Sequence, residues 1–493
     1  MHEAGTARTD APPTTPVRRP QLLVIALSVV VLTVAVLQTA VVPVLGVIAE
    51  QLGASTVAVS WAVTANLLAA AAATPLLGRL ADLHRKKRVL LGVLAVVLAG
   101  SLLAATTASL PLLILARVLQ AASYALYPIS IAILREELPA DRMVSAMAVL
   151  SGTLGFGGGT GLVVVGLLMD GDAGYHRVFW LTTAFTVVVV AVVLIAVPNR
   201  PRGATGSIDW LGALGLAAGL TALLLGITQG NSWGWGSLRT VATLAGGAAA
   251  LIGWWLWERR AAQPLVSTRM LARRSMLFTN LATVFVGMGL YFAFLGLTQF
   301  VQIPRDRAGY GFGASVLEAS VVYLLPGALT GFLIALVSGR FIDRFGARPV
   351  LTVAALAGIG GFVFVACAHS APWQVVAASI LANAYISLGY GALPALVVND
   401  SDAGETGVAT SMNAIARTIG SSAAAAVVAV LLGSTTTAGL PRESSFVAIF
   451  SGGAITATLA MVLIALTHPR SRGIEERDTA ADYESRAMNH EWG

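Results

Sequence analysis

Residues 78–90 read GRLADLHRKKRVL, and residues 339–351 read GRFIDRFGARPVL. The two runs share Gly, Arg, Asp, Val and Leu at matching positions, so Gly78, Arg79 and Asp82 find counterparts in Gly339, Arg340 and Asp343. Each sets one acid among bases in a chain that is 56% hydrophobic and 11% charged. The mean hydropathy is +0.80, and the charged fraction is less than half the quarter usual in soluble domains. Such a chain belongs in a bilayer, and the two runs mark places where it emerges.

Working outward from them, fourteen apolar stretches appear, near 22–48, 58–80, 89–108, 111–134, 143–169, 178–197, 209–229, 239–257, 276–301, 314–338, 349–368, 372–398, 408–431 and 446–467. About 20 residues at roughly 1.5 Å each cross a hydrocarbon core of about 30 Å. All should be helices, because a strand with a free edge cannot satisfy its backbone in lipid. Residues 1–20 contain Pro and Arg and lead straight into a long apolar run, unlike a cleaved signal peptide. The first span is therefore expected to stay. The single Cys367 excludes an intramolecular disulfide and a Cys-based metal site, and its apolar surroundings read as packing.

Counting bases gives the orientation. With the N-terminus in the cytoplasm, 24 of the 31 Lys and Arg fall in cytoplasmic segments. Five fall in external loops, and Arg117 and Arg417 remain inside spans. That asymmetry puts both termini inside, at the cell membrane. The net charge of +7 is then a consequence of topology, and it gives a nucleic-acid partner no support.

The repeated run follows an even-numbered span each time, matching spans two and three to spans ten and eleven. The chain divides accordingly into a cytoplasmic tail (1–20), a six-helix bundle (21–197), a linker with two extra spans (198–275), a second six-helix bundle (276–467) and a C-terminal cytoplasmic tail (468–493).

These residues resemble the major facilitator superfamily. Residues 78–90 are similar to its loop 2–3 signature, and Arg117-Val118-Leu119-Gln120 to the arginine-x-x-glutamine of its fourth helix. The fourteen-span count, the Trp61-Ala62-Val63-Thr64 opening of span two and the Met412–Gly420 run of span thirteen look like the fourteen-span drug:proton antiporters. The resemblance covers roughly residues 20–467. It implies a monomeric secondary transporter with no cofactor, exporting hydrophobic or amphipathic small molecules against protons by alternating access. It also implies a cytoplasmic gate role for Asp82. Arg85 stands where the family usually has glycine, whereas the second copy keeps Gly346. Gln38 stands where the antiporters usually carry an aspartate, and Leu162 replaces the proline of their span-five signature.

The candidate site follows from which polar residues lie inside spans. An arginine at a helix centre costs about 2.5–3.5 kcal/mol on insertion scales, so Arg117 should face the interior. Gln38, Asn66, Arg117 and Gln120 fall at similar depth and form the expected polar cluster for substrate or coupling. Gln299, Asn383, Tyr385 and Tyr390 are the expected opposite wall, and Arg417 reads equally as an interface residue. Gly157, Gly161 and Gly166 in span five mark a close-packed hinge. A glutamine cannot titrate, so proton coupling falls to Glu318 or a loop acid. Uniport or anion-coupled exchange by the same fold is the alternative. Neither lysine, Lys86 or Lys87, ends a phosphate loop, so nucleotide hydrolysis is excluded as the energy source. No metal-ligand or catalytic pattern appears either, which leaves a polytopic membrane enzyme as a formal alternative only.

Overall fold

The computed structural model describes residues 20–41, 44–54, 56–169, 174–200, 207–262, 264–401, 405–432 and 440–467. The expected C-terminal tail and residues 1–19 of the expected N-terminal tail lie outside the described residues, and Pro20 already opens the first helix. The long helices are α1 (Pro20–Thr39), α2 (Thr56–Leu83), α3 (Lys86–Thr106), α4 (Leu110–Glu137), α5 (Ala140–Leu168), α6 (His176–Ala196) and α7 (Trp210–Trp233). They continue as α8 (Leu238–Glu258), α9 (Arg274–Gln302), α10 (Ala319–Phe345), α11 (Ala347–Cys367), α12 (Pro372–Asp400), α13 (Thr406–Leu432) and α14 (Glu443–Ala465).

Among the described residues thirteen helices are long and apolar enough to cross a membrane. The 29-residue α5 stands in the place of the remaining expected span. Expected span one is shorter than read: α1 stops at Thr39 and a separate short helix covers Leu45–Gln51. Pro43, which has no amide to donate, stands between them in the sequence.

The helices form two six-helix bundles, α1–α6 and α9–α14, with α7 and α8 as the inserted pair. Across the halves, α5 packs along α10 and α2 along α13. The inserted α7 lies against α2 and α13, covering one seam between the halves, and α8 packs on α7. Two acids close the base of that pair. Asp209 accepts from the Gly212 amide at 2.9 Å and the Trp257 indole at 2.8 Å, while buried Glu258 accepts from the Trp254 indole at 3.0 Å.

Small residues set how closely helices approach. A Cβ on Gly287 of α9 would stand 2.5 Å from the Arg417 carbonyl, so α9 and α13 meet backbone to backbone. The repeated runs turn differently. Gly346 takes φ +84°, a left-handed conformation that suits glycine, whereas Arg85 takes φ −63° and starts α3 by an ordinary turn. The first copy therefore does without the family's glycine. Cys367 is exposed at the last residue of α11 and not packed in a core, because the helix ends there and the chain emerges.

Candidate functional site

The end of the bundle that carries residues 78–90 and 339–351 is closed by contacts between the halves. The Asp82 carboxylate, at the end of α2, accepts from the backbone amides of Gly407 and Val408 at 3.2 and 3.1 Å. Those amides open α13, and the first turn of a helix leaves its N–H groups unpaired and electropositive. Asp82 is buried there. One turn earlier, Gly78 touches Ser411 so closely that a Cβ would overlap the serine Oγ. The second copy repeats the arrangement across the other seam: Asp343 accepts from the Ser145 hydroxyl of α5 at 3.3 Å, and Gly339 abuts the Ser145 backbone. Asp343 and Arg340 are exposed, and Arg79 is half-buried.

Sequence reasoning missed Arg135, near the end of α4. It donates to the Ser401 hydroxyl and carbonyl, both at 3.2 Å, and to the Thr406 hydroxyl, bridging to the start of α13. Two bases of the first run have partners as well: Lys86 pairs with Glu136, and Lys87 donates to the Leu194 carbonyl at 2.9 Å.

Three of the four residues expected in the N-terminal cluster meet. The fully buried Arg117 donates from Nε to the Ala62 carbonyl at 3.2 Å, and from one terminal nitrogen to the Leu37 carbonyl at 3.1 Å and to Gln120 Oε1 at 2.7 Å. Gln120 donates to Ser101 at 2.9 Å, and Asn66 to the Arg117 carbonyl at 2.7 Å. The network ties α1, α2, α3 and α4 together. Gln38 is half-buried beside it, and its backbone neighbour Leu37 receives the guanidinium instead.

Arg417 sits near the middle of α13, not at an interface with solvent. It is 8% exposed, with its guanidinium 5.2 Å from the Tyr127 ring of α4 and 4.9 Å from the Tyr390 ring of α12. Tyr124 lies within electrostatic range of Arg417, and Tyr291 within range of Tyr124 and Tyr390. One arginine is thus held between aromatic faces from both halves.

The matching family model is the Major Facilitator Superfamily, over residues 27–425. The chain belongs to the major facilitator superfamily. It is 33% identical over 423 residues to an MFS-type transporter of Mycobacterium tuberculosis, covering 84% of this chain and 60% of that one, so it spans under two thirds of that relative's length. It is 30% identical to the tetracenomycin C resistance and export protein of Streptomyces glaucescens, over 84% of this chain and 76% of that one. Among solved structures, that of the human organic anion transporter MFSD10 covers 92% of this chain and 100% of its own, with a TM-score of 0.62. Its identity is 16%, so this likeness speaks for the fold alone. A major facilitator is a multi-pass membrane transporter of small molecules and not an enzyme.

In this major facilitator the remaining expected residues have other neighbours. Gln299 is exposed near the end of α9. Asn383 bonds within its own helix, to the Ser379 carbonyl at 2.9 Å. Tyr385 packs against Gly358 of α11 and Gly289 of α9. Glu318 is exposed at the start of α10, its amide on the Ser315 hydroxyl at 3.1 Å. Gly157 and Gly161 seat α5 on Leu32, Ala35 and Thr39 of α1, inside one half, whereas Gly166 faces Leu317 across the halves. A lateral groove of about 1120 Å³ opens between α2, α3, α4 and α7, with His84, Arg85 and Arg88 at one end. It lies on the flank of the first half, away from Arg417.

Proposed function

We propose that this major facilitator exports hydrophobic or amphipathic small molecules, of the drug or antibiotic type, by rocking its two halves around the space between Tyr127, Tyr390 and Arg417. Both termini face the cytoplasm in this reading, and the protein works as a monomer. The observation that carries it is the pair of contacts at the corresponding residues Asp82 and Asp343, which join the halves at the basic end across both seams. Contacts made between halves at one end are those that must break when the carrier opens there. The fourteen-helix architecture and the likeness to a tetracenomycin C export protein support the substrate class.

Proton antiport is the expected coupling, with Glu318 or a loop acid as the carrier. A second reading, uniport or anion-coupled exchange, is favoured by the two mid-span cations, Arg117 and Arg417, which have no acid at their depth. Expression in a drug-sensitive bacterium tests the main reading. Several-fold resistance to some lipophilic antibiotics or dyes is expected, together with its loss in Asp82→Asn. Unchanged sensitivity across a broad panel, with the protein present in the membrane, would sink it. In vesicles, collapsing the pH gradient and the voltage separately decides the coupling.

A further inference from the structure

We propose that Arg417 and Tyr390 recognise a negatively charged aromatic substrate, one bearing a carboxylate or phenolate on a flat ring system. The inference rests on the export reading above and names its substrate class. The protein contains an internal control for what a structural arginine looks like. Arg117, at comparable burial, spends its guanidinium on two carbonyls and an amide oxygen. Arg417 has no hydrogen-bond or ion-pair partner among the described residues; its neighbours are the faces of Tyr127 and Tyr390. Ring faces attract the cation but leave its forked N–H donors open, and that fork matches a carboxylate bidentately.

The tyrosine hydroxyls point the same way. The Tyr127 hydroxyl is paired with Ser151 at 2.7 Å, but the Tyr390 hydroxyl is buried and has no partner. A buried hydroxyl without a partner calls for an explanation, and an anionic ligand oxygen beside Arg417 supplies one.

Among the described residues of α4, α9, α12 and α13, no carboxylate pairs with Arg417. Helix α9 contains no Asp or Glu, and neither does α13. The acids of α4 and α12 lie in their last turns, where Glu136 and Glu137 pair with Lys86 and Arg200 and Asp400 bonds Ser275. An anionic substrate also answers the missing span-one aspartate. A cell is negative inside, so an anion leaving it moves down the electrical gradient, at a tenfold concentration ratio per about 59 mV for one charge. Export then needs no intramembrane proton carrier.

The test uses the full-length protein in proteoliposomes with three probes: 3-hydroxy-2-naphthoate, its neutral amide and ethidium. The expected result is naphthoate transport at least tenfold faster than that of the amide, and faster still when a potassium diffusion potential drives negative charge in the transport direction. Arg417→Gln should abolish the acid-over-amide preference, with its fold checked by an unchanged melting temperature of the detergent-solubilised protein. Arg417→Lys should restore part of the preference. If Arg417→Gln keeps the full preference, or wild type moves ethidium and the amide but not the acid, the anion assignment is wrong while export stands. If wild type moves none of the three, the export reading falls and this inference with it.

Discussion

The carboxylate of Asp82 and the backbone amide of Gly407 are hydrogen-bonded at 3.2 Å across 325 residues of chain. With the Val408 amide at 3.1 Å, the contact fastens the last turn of α2 to the first turn of α13, and so one half to the other. An anion at a helix N-terminus gains from the dipole and from charge-assisted bonds. Among the described residues its counterpart Asp343 accepts only a neutral hydroxyl, at 3.3 Å, and is exposed. One repeated motif thus makes two unequal seals.

That inequality predicts an order of effects. Asp82→Asn keeps the shape but removes the charge, and hydrogen bonds to charged groups contribute about 1.5–3 kcal/mol. The population closed at this end should fall by roughly tenfold or more, with transport falling in step. Asp343→Asn should do much less. Alkylation of a cysteine placed at Ser411, in a Cys367→Ser background, reads the opening directly. Equal alkylation rates in the two variants would contradict the asymmetry.

The glycines of the same motif predict a different split. At Gly78 the nearest obstacle to a Cβ is the Ser411 Oγ, the end of a side chain; at Gly339 it is the Ser145 backbone. Gly339→Ala must push α5 and α10 apart, whereas Gly78→Ala needs a serine to turn. Transport should therefore suffer more from Gly339→Ala, and Ser411→Ala should rescue Gly78→Ala in the double variant. A Gly339→Ala protein that transports normally would show that this seam does not need close contact.

Arg135 reinforces the first seal from another helix, because its targets Ser401 and Thr406 flank the start of α13. Residues that hold one element jointly show non-additive effects. Arg135→Ala alone should lower transport, and in the Asp82→Asn background it should add less than it costs in wild type. Full additivity of the two, measured as initial transport rates, would mean that they act on separate steps.

Much of this architecture was legible in the sequence because a bilayer imposes length and polarity directly. Apolar runs of about 20 residues have to be spans, and a repeated charged loop has to mean related halves. The Asp of the first run was picked out by the repeat, and the structure pairs it with the Gly407 and Val408 amides. What one dimension hides is the direction in which a polar side chain turns. Gln38 looked like the polar member of span one, yet Arg117 reaches the Leu37 carbonyl next to it. Arg117 was expected to face the interior and Arg417 read equally as an interface residue; tertiary packing buries both, giving one of them carbonyls and the other aromatic faces. Tyr124, Tyr127 and Tyr291 were not among the expected residues, since nothing in the sequence says which tyrosine rings turn toward Arg417.

Arg117 itself predicts a structural phenotype. Lysine carries the same charge, but a single ammonium on a flexible stem cannot reproduce a planar fork bonded at once to α1, α2 and Gln120. Arg117→Lys should leave at least one buried carbonyl unpaired, at about 1–3 kcal/mol, and lower the thermal stability of the detergent-solubilised protein. Gln120→Leu, which frees both Arg117 and Ser101, should lower it further. Transport per folded molecule should change far less in either variant than in Arg417→Gln, because the cluster joins helices within one half. An Arg117→Lys protein that melts like wild type but transports nothing would move Arg117 from the scaffold to the substrate path.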